Sequence, residues 1–291
     1  MYYTYARVHG DWKIVSDSDV RDLGFTSASH LWDFGRMLVH RSHRLLLIQG
    51  SCGPAVPGHC VQPPSGLLSL ESNALQQVDA YWPGRWSRRV VLLAPASRAE
   101  LRRLLQADFD LENFVAFAYS TIDATHAFRL TGDRIILNPP AIEDRTSTTV
   151  QLVLSHELTH IATRPLSGPF VPAFLDEGVA EWVGYRGAGT SFGYLRERAA
   201  EGHREGRLPK DYEFTTGSGD DIIDAYQRAH SAIAYFIDRF GMAKVVQLYA
   251  RLGAARVVPG TATFHLERAF RAVTGISLKR FEQDWAATIQ G

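Results

Sequence analysis

The sequence predicts an α+β fold: a mixed N-terminal lobe around a small, mostly antiparallel sheet, followed by a helical C-terminal lobe. Two observations predict it. Up to about residue 145, short runs rich in β-branched and aromatic residues alternate with single helical segments. From about 146 onward the apolar residues recur with helical period. The composition allows a real core, since 45% of the 291 residues are hydrophobic and 21% are charged. The length suits one large domain or two smaller ones.

"DWKIV" at 11–15 reads as the first strand. "DFGRMLVH" and "RLLLIQ" flank Arg41-Ser42-His43 and read as a hairpin. Residues 50–65 form a Gly/Pro/Ser-rich loop and a natural boundary. A helix is expected at about 66–81, then a strand in "RRVVLLA". Ser97 with Glu100 three residues later makes a capping box for a helix in "SRAELRRLLQ". "FVAFAYS", "ATHAFRL" and "RIILN" read as three strands, the last two joined by a hairpin turn at Thr131-Gly132-Asp133.

In the second half, Val150, Leu154, Leu158 and Ile161 fall on one helical face that Pro165 ends. A second helix starts near Pro172. Residues 186–220, rich in glycine and charge, read as a mobile excursion around a short helix. "DIIDAYQRAHSAIAYFIDRFG" is a strong helix ended by Gly241, and two or three more helices complete the chain. The expected organisation is a β-rich segment at 1–60, an N-lobe at 61–165 and a helical C-lobe at 166–291. The first 60 residues look like the end of a preceding domain, so a longer parent protein is expected.

Several function classes fall away early. Formal net charge is zero, which argues against a broad nucleic-acid surface. No apolar run approaches the roughly 18 residues that span a bilayer. The first residues lack the basic-then-apolar pattern of a signal peptide. Cys52 and Cys60 sit on one Gly/Pro loop, where a disulfide is favoured over two free thiols. A metal site there has only His59 to add. A disulfide would place the chain in an oxidising, extracytoplasmic setting.

The chemistry concentrates in "VLSHELTHIATRP", residues 153–165. Residues i and i+4 of a helix share a face about 6 Å apart, so His156 and His160 can reach one ion at ~2.0–2.1 Å. Glu157 lies about 100° round the helix, beside that ion rather than on it. A carboxylate in that position can take a proton from water whose pKa zinc lowers to about 7. Chance alone gives H-E-x-x-H in roughly two chains per hundred of this length and composition, so the motif needs support. The plainer reading is a helix with two solvated or core histidines.

Support comes from "PAFLDEGVAEWVGY", residues 172–185. A catalytic zinc needs a third protein ligand and an open fourth position. Glu177 reads as that ligand, and Glu181, one turn on, as a carboxylate that orients His156 or His160. Asp176 competes with Glu177 but has no partner acid at i+4. The apolar residues around these acids suit a buried helix better than a solvated one.

"HELTH … FLDEGVAEWVGY" resembles the gluzincin metallopeptidases. With "RIILNPPAI", "AYQRAHSAIAYFIDRFG" and "GISLKRFEQDW", it resembles more closely the peptidase MA-like proteins of actinobacteria, over about 85–291. The resemblance implies a zincin-like active-site helix and one Zn2+ per chain held by His156, His160 and Glu177. It makes Glu157 the general base and a peptide or protein the substrate. It implies an oxyanion donor on the 221–240 helix, Tyr226 ahead of His230. It also implies an edge strand that pairs with extended substrate, for which 134–138 is the candidate, with Asn138 at its end facing substrate. A plain core strand there is an equal alternative. The implied setting is outside the cytoplasm or behind a membrane anchor. Two readings compete with the peptidase: a non-catalytic, peptidase-like binding module of the cell envelope, and a zinc hydrolase acting on another bond.

Overall fold

A computed structural model describes residues 3–16, 19, 21–23, 29–52, 60–64, 66–106, 111, 114–122, 130–143, 145–187, 206–255 and 262–290. It is an α+β protein with a helical C-terminal part. Strands β1 (Thr4–Val8) and β2 (Asp11–Ser16) form an antiparallel hairpin of their own. The main sheet contains β3 (Met37–Arg41), β4 (Leu45–Gly50), β5 (Val90–Ala94), β6 (Ala116–Ile122) and β7 (Leu130–Leu137), in the order β3-β4-β5-β7-β6. β3 and β4 are the expected hairpin. Because β4 pairs with β5, the sheet spans the boundary expected at residue 60.

The parallel pairs follow from two crossover helices. α1 (Leu67–Tyr81) links β4 to β5, and α2 (Arg98–Leu105) follows β5. Helices cover both faces, which is why the central strands read as unbroken apolar runs. Leu92 and Ile135 join the large core, while Leu93 and Ile136, one residue on, join a smaller core with Leu101 and Leu104 of α2. Half of the expected capping box forms. Ser97 Oγ accepts from the Glu100 N–H at 3.3 Å, but the Glu100 carboxylate reaches one residue further back, to the Ala96 N–H at 2.7 Å.

Two expectations about the sheet are corrected. The turn at Thr131-Gly132-Asp133 does not exist; β7 runs straight through it. Tyr119 faces Arg134 and Thr121 faces Thr131, so three residues of β7 oppose two steps of β6. Gly132, at φ 65°, absorbs the extra residue as a bulge. The same glycine conformation serves a turn or a bulge, and pairing with β6 chose the bulge. The "ATHAFRL" strand falls mostly on 123–129, outside the described residues. Second, the 134–138 strand is interior, between β5 and β6, and the edge of the sheet on this side is β6.

After a short helix α3 (Pro139–Ile142), α4 (Ser147–Thr163) begins at Thr146, whose hydroxyl accepts from the Thr149 N–H. Val150, Leu154, Leu158 and Ile161 are all buried. At Pro165 the chain passes into a single 3-10 turn. α5 (Ala173–Gly187) follows Pro172, with the Asp211 carboxylate accepting from the Ala173 N–H at 2.8 Å. Most of the 186–220 excursion lies at 188–205, outside the described residues. Then come α6 (Gly219–Phe240), α7 (Met242–Gly253), α8 (Ala262–Thr274) and α9 (Leu278–Gln290), three helices beyond Gly241. Cys52 and Cys60 form a disulfide. Among the described residues no helix is long and apolar enough to cross a membrane.

α4, α5 and α6 build the centre of the C-terminal half. Gln77 of α1 donates to the Val183 and Gly184 carbonyls of α5, and the Trp82 indole donates to the Ala162 carbonyl of α4 at 3.1 Å. Gly178 lets α6 come close: a Cβ there would sit 2.7 Å from the Ala229 carbonyl and 2.5 Å from Ile233 Cγ1.

Candidate metal centre

His156 and His160 project from α4 toward α5, and Glu177 answers from the first turns of α5. Three donor atoms converge. His156 Nε2 lies 3.1 Å from His160 Nε2, and Glu177 Oε2 lies 3.2 and 3.3 Å from the two. A tetrahedral ion with bonds of ~2.0–2.1 Å spaces its ligand atoms roughly 3.3 Å apart, so the triangle has the size of one tetrahedral face. Glu177 Oε2 is buried and has no hydrogen-bond partner apart from the two Nε2 atoms, which fits an oxygen waiting for a cation.

The far side of each imidazole is held by a carboxylate. His156 Nδ1 lies 3.1 Å from Glu181 Oε1, and His160 Nδ1 lies 3.2 Å from Asp176 Oδ2. Of the two rings the sequence left open for Glu181, it holds His156. Asp176 lies outside the triangle, against the far side of the His160 ring. The adjacent Asp-Glu pair was the signal for this, because neighbours on a helix point about 100° apart and can serve different parts of one site. Tyr249 of α7 donates to the other Asp176 oxygen at 2.9 Å, a contact across 73 residues that nothing in the sequence announced.

The electrostatics follow from burying two imidazoles among several acids. Burial alone would lower the His156 pKa, but hydrogen bonds that its ring donates to Glu177 and Glu181 push it up to about 10. Burial likewise works against His160, and Glu177 and Asp176 carry it well above its usual value. Glu177 and Asp176 are opposed by burial yet held below the usual carboxylate range, chiefly by His160. A site with this excess of carboxylates takes up positive charge, as protons or as a cation.

Glu157 stands beside the triangle. Burial raises its pKa, while the two histidines and the Ala118 N–H pull the other way. That N–H belongs to edge strand β6 and donates to Glu157 Oε2 at 2.6 Å. Arg164, one turn beyond His160, donates to the Ala118 carbonyl at 3.2 Å. α4 is thus tied to both outward-facing backbone groups of one edge-strand residue.

Tyr226 comes to the same place from α6. Its ring centre lies 6.1 Å from that of His156. Burial, then Glu177, Glu157 and Glu181, raise its pKa, so the hydroxyl stays a neutral donor. His230, one turn along, is buried against Tyr185, with ring centres 5.4 Å apart. Burial lowers its pKa, with Glu181 opposing. Asn138 does not face a substrate. It is fully buried, and its amide donates to the Leu111 and Phe114 carbonyls at 2.8 and 2.7 Å. The strand end it occupies is interior, which fixes this structural role.

The chain matches no family model and no curated protein.

Proposed function

We propose that this protein is a zinc-dependent metallopeptidase of the gluzincin kind, hydrolysing peptide bonds of a peptide or protein outside the cytoplasm. The observation that carries the reading is the convergence of His156 Nε2, His160 Nε2 and Glu177 Oε2 at 3.1–3.3 Å, with Glu157 beside them. When bound, a zinc ion would supply Lewis acidity and water that ionises near neutrality. Everything else falls to the chain. The raised pKa of Glu157 suits a group that accepts a proton and passes it to a leaving amine. The neutral Tyr226 hydroxyl suits a donor to a developing oxyanion. On either side of Ala118, whose outward groups Glu157 and Arg164 already occupy, the edge of β6 offers backbone groups on which an extended peptide can align. The Cys52–Cys60 disulfide supports an oxidising compartment, and the likeness of "HELTH … FLDEGVAEWVGY" to the peptidase MA-like proteins supports the reaction class.

The test has two stages. Purified, chelator-stripped protein is reloaded and its zinc counted, wild type beside Glu177→Ala. One zinc per chain, lost or much weakened in the variant, is the expected result; no zinc in wild type removes the proposal. Zinc-loaded wild type and Glu157→Gln are then compared on a peptide library. The variant should keep its zinc and lose turnover by ~10²-fold or more. Equal turnover would remove Glu157 as base, and zinc without any Glu157-dependent turnover would favour the binding module.

A further inference from the structure

The two imidazoles are not held alike. On the His156 side, Glu181 is the orienting carboxylate, at 3.1 Å. On the His160 side the carboxylate is itself anchored. Asp176 Oδ2 meets His160 Nδ1 at 3.2 Å, while Asp176 Oδ1 accepts from the Tyr249 hydroxyl at 2.9 Å and from the Thr163 hydroxyl at 3.5 Å. Tyr249 is fully buried in α7, and its hydroxyl also lies 3.3 Å from the Leu175 carbonyl. Its ring packs edge-on against Trp82, centres 5.5 Å apart, and Trp82 donates to the Ala162 carbonyl of α4. One side chain of the C-terminal lobe therefore touches the ligand helix through Asp176 and the histidine helix through Trp82.

From this we infer that Tyr249 is a positioning residue of the metal centre, fixing His160 through Asp176. The inference rests on the metal reading above. An unanchored carboxylate can rotate about its side-chain bonds, and His160 then loses the acceptor that keeps its Nδ1 protonated and its Nε2 lone pair on the common point. The hydroxyl of Tyr249 removes that freedom. Outer partners of ligating histidines typically contribute 10–100-fold to metal affinity. Acting one bond further out, Tyr249 belongs at the lower end of that range.

The experiment is zinc affinity by competition with a chromophoric chelator, on wild type, Tyr249→Phe and Tyr235→Phe. Tyr249→Phe keeps the ring and its packing on Trp82. Tyr235 of α6 pairs with Arg239 and serves as the control for loss of a tyrosine hydroxyl. Thermal melting of the metal-free proteins is measured alongside. Expected is a zinc Kd about 10-fold higher in Tyr249→Phe, unchanged in Tyr235→Phe, with metal-free melting of Tyr249→Phe equal to wild type. An unchanged Kd in Tyr249→Phe overturns the positioning role. So does a raised Kd that comes with an equally lowered metal-free stability, since the hydroxyl would then be holding the fold. Absence of zinc binding in wild type is a different failure: it overturns the metal centre, and the positioning role with it.

Discussion

Glu71 makes the stability of the fold depend on pH. It lies on the buried face of α1, is 1% exposed, and one of its carboxylate oxygens has no hydrogen-bond partner. Burial raises its pKa from 4.5 to about 7. The unfolded chain therefore releases this proton near pH 4.5, and the folded chain holds it to about 7. Between those values the native state binds more protons, so stability falls as pH rises. The size follows from 7 − 4.5 = 2.5 units, at about 1.36 kcal/mol each, or about 3 kcal/mol once Glu71 is ionised in both states. That is an upper value, because a cavity of about 500 Å³ borders the residue and leaves water within reach. Glu71→Gln keeps the shape and removes the charge. Denaturant melts of both proteins at pH 5 and pH 8 isolate this group, since every other titration cancels in the difference. The variant should gain on wild type by about 2–3 kcal/mol between pH 5 and pH 8. A difference that stays flat across that range would refute the argument, and would mean that the carboxylate finds a partner or solvent.

Two further outcomes follow from the site and its packing. Gly178→Ala places a methyl 2.7 Å from the Ala229 carbonyl, so α5 and α6 must separate; we expect a loss of ~1–3 kcal/mol in a melt and weaker zinc binding, because Glu177 is the preceding residue. Tyr226→Phe should leave zinc content unchanged and lower kcat by ~10²-fold with little change in KM, as for loss of an oxyanion donor. An undiminished kcat there, with a loss in His230→Gln, would transfer the role to His230.

Much of this was legible from local pattern. The period of Val150, Leu154, Leu158 and Ile161, bounded by Pro165, located α4, and the i, i+4 spacing of Glu177 and Glu181 foretold that both would face it. What failed was decided by partners far away in sequence. Gly132 reads the same in a turn and in a bulge, and only pairing with Tyr119 and Thr121 separates the two. Whether β6 or β7 forms the edge depends on β5 claiming Ile135 and Ile136, a choice no periodicity records. Asn138 carried a polar side chain at a strand end, which reads as exposed until Leu111 and Phe114 bring their carbonyls to it. Asp176 and Tyr249 meet only after α7 has folded back on α5.

The plainer reading, two histidines that merely fill a helix interface, must still account for which nitrogens face each other. Acceptors at 3.1 and 3.2 Å from both Nδ1 atoms favour the N–H on that side of each ring. In the neutral rings this leaves both Nε2 lone pairs directed at one point, 3.1 Å apart, with a carboxylate oxygen as the third corner. Three lone-pair atoms repel at that distance unless something positive lies among them. A proton relieves one edge of the triangle; a divalent ion relieves all three. Protonating both rings pairs each with Glu177 but sets two Nε2–H groups against each other at 3.1 Å. The carboxylates outside the triangle carry the argument for a metal as much as the three atoms inside it.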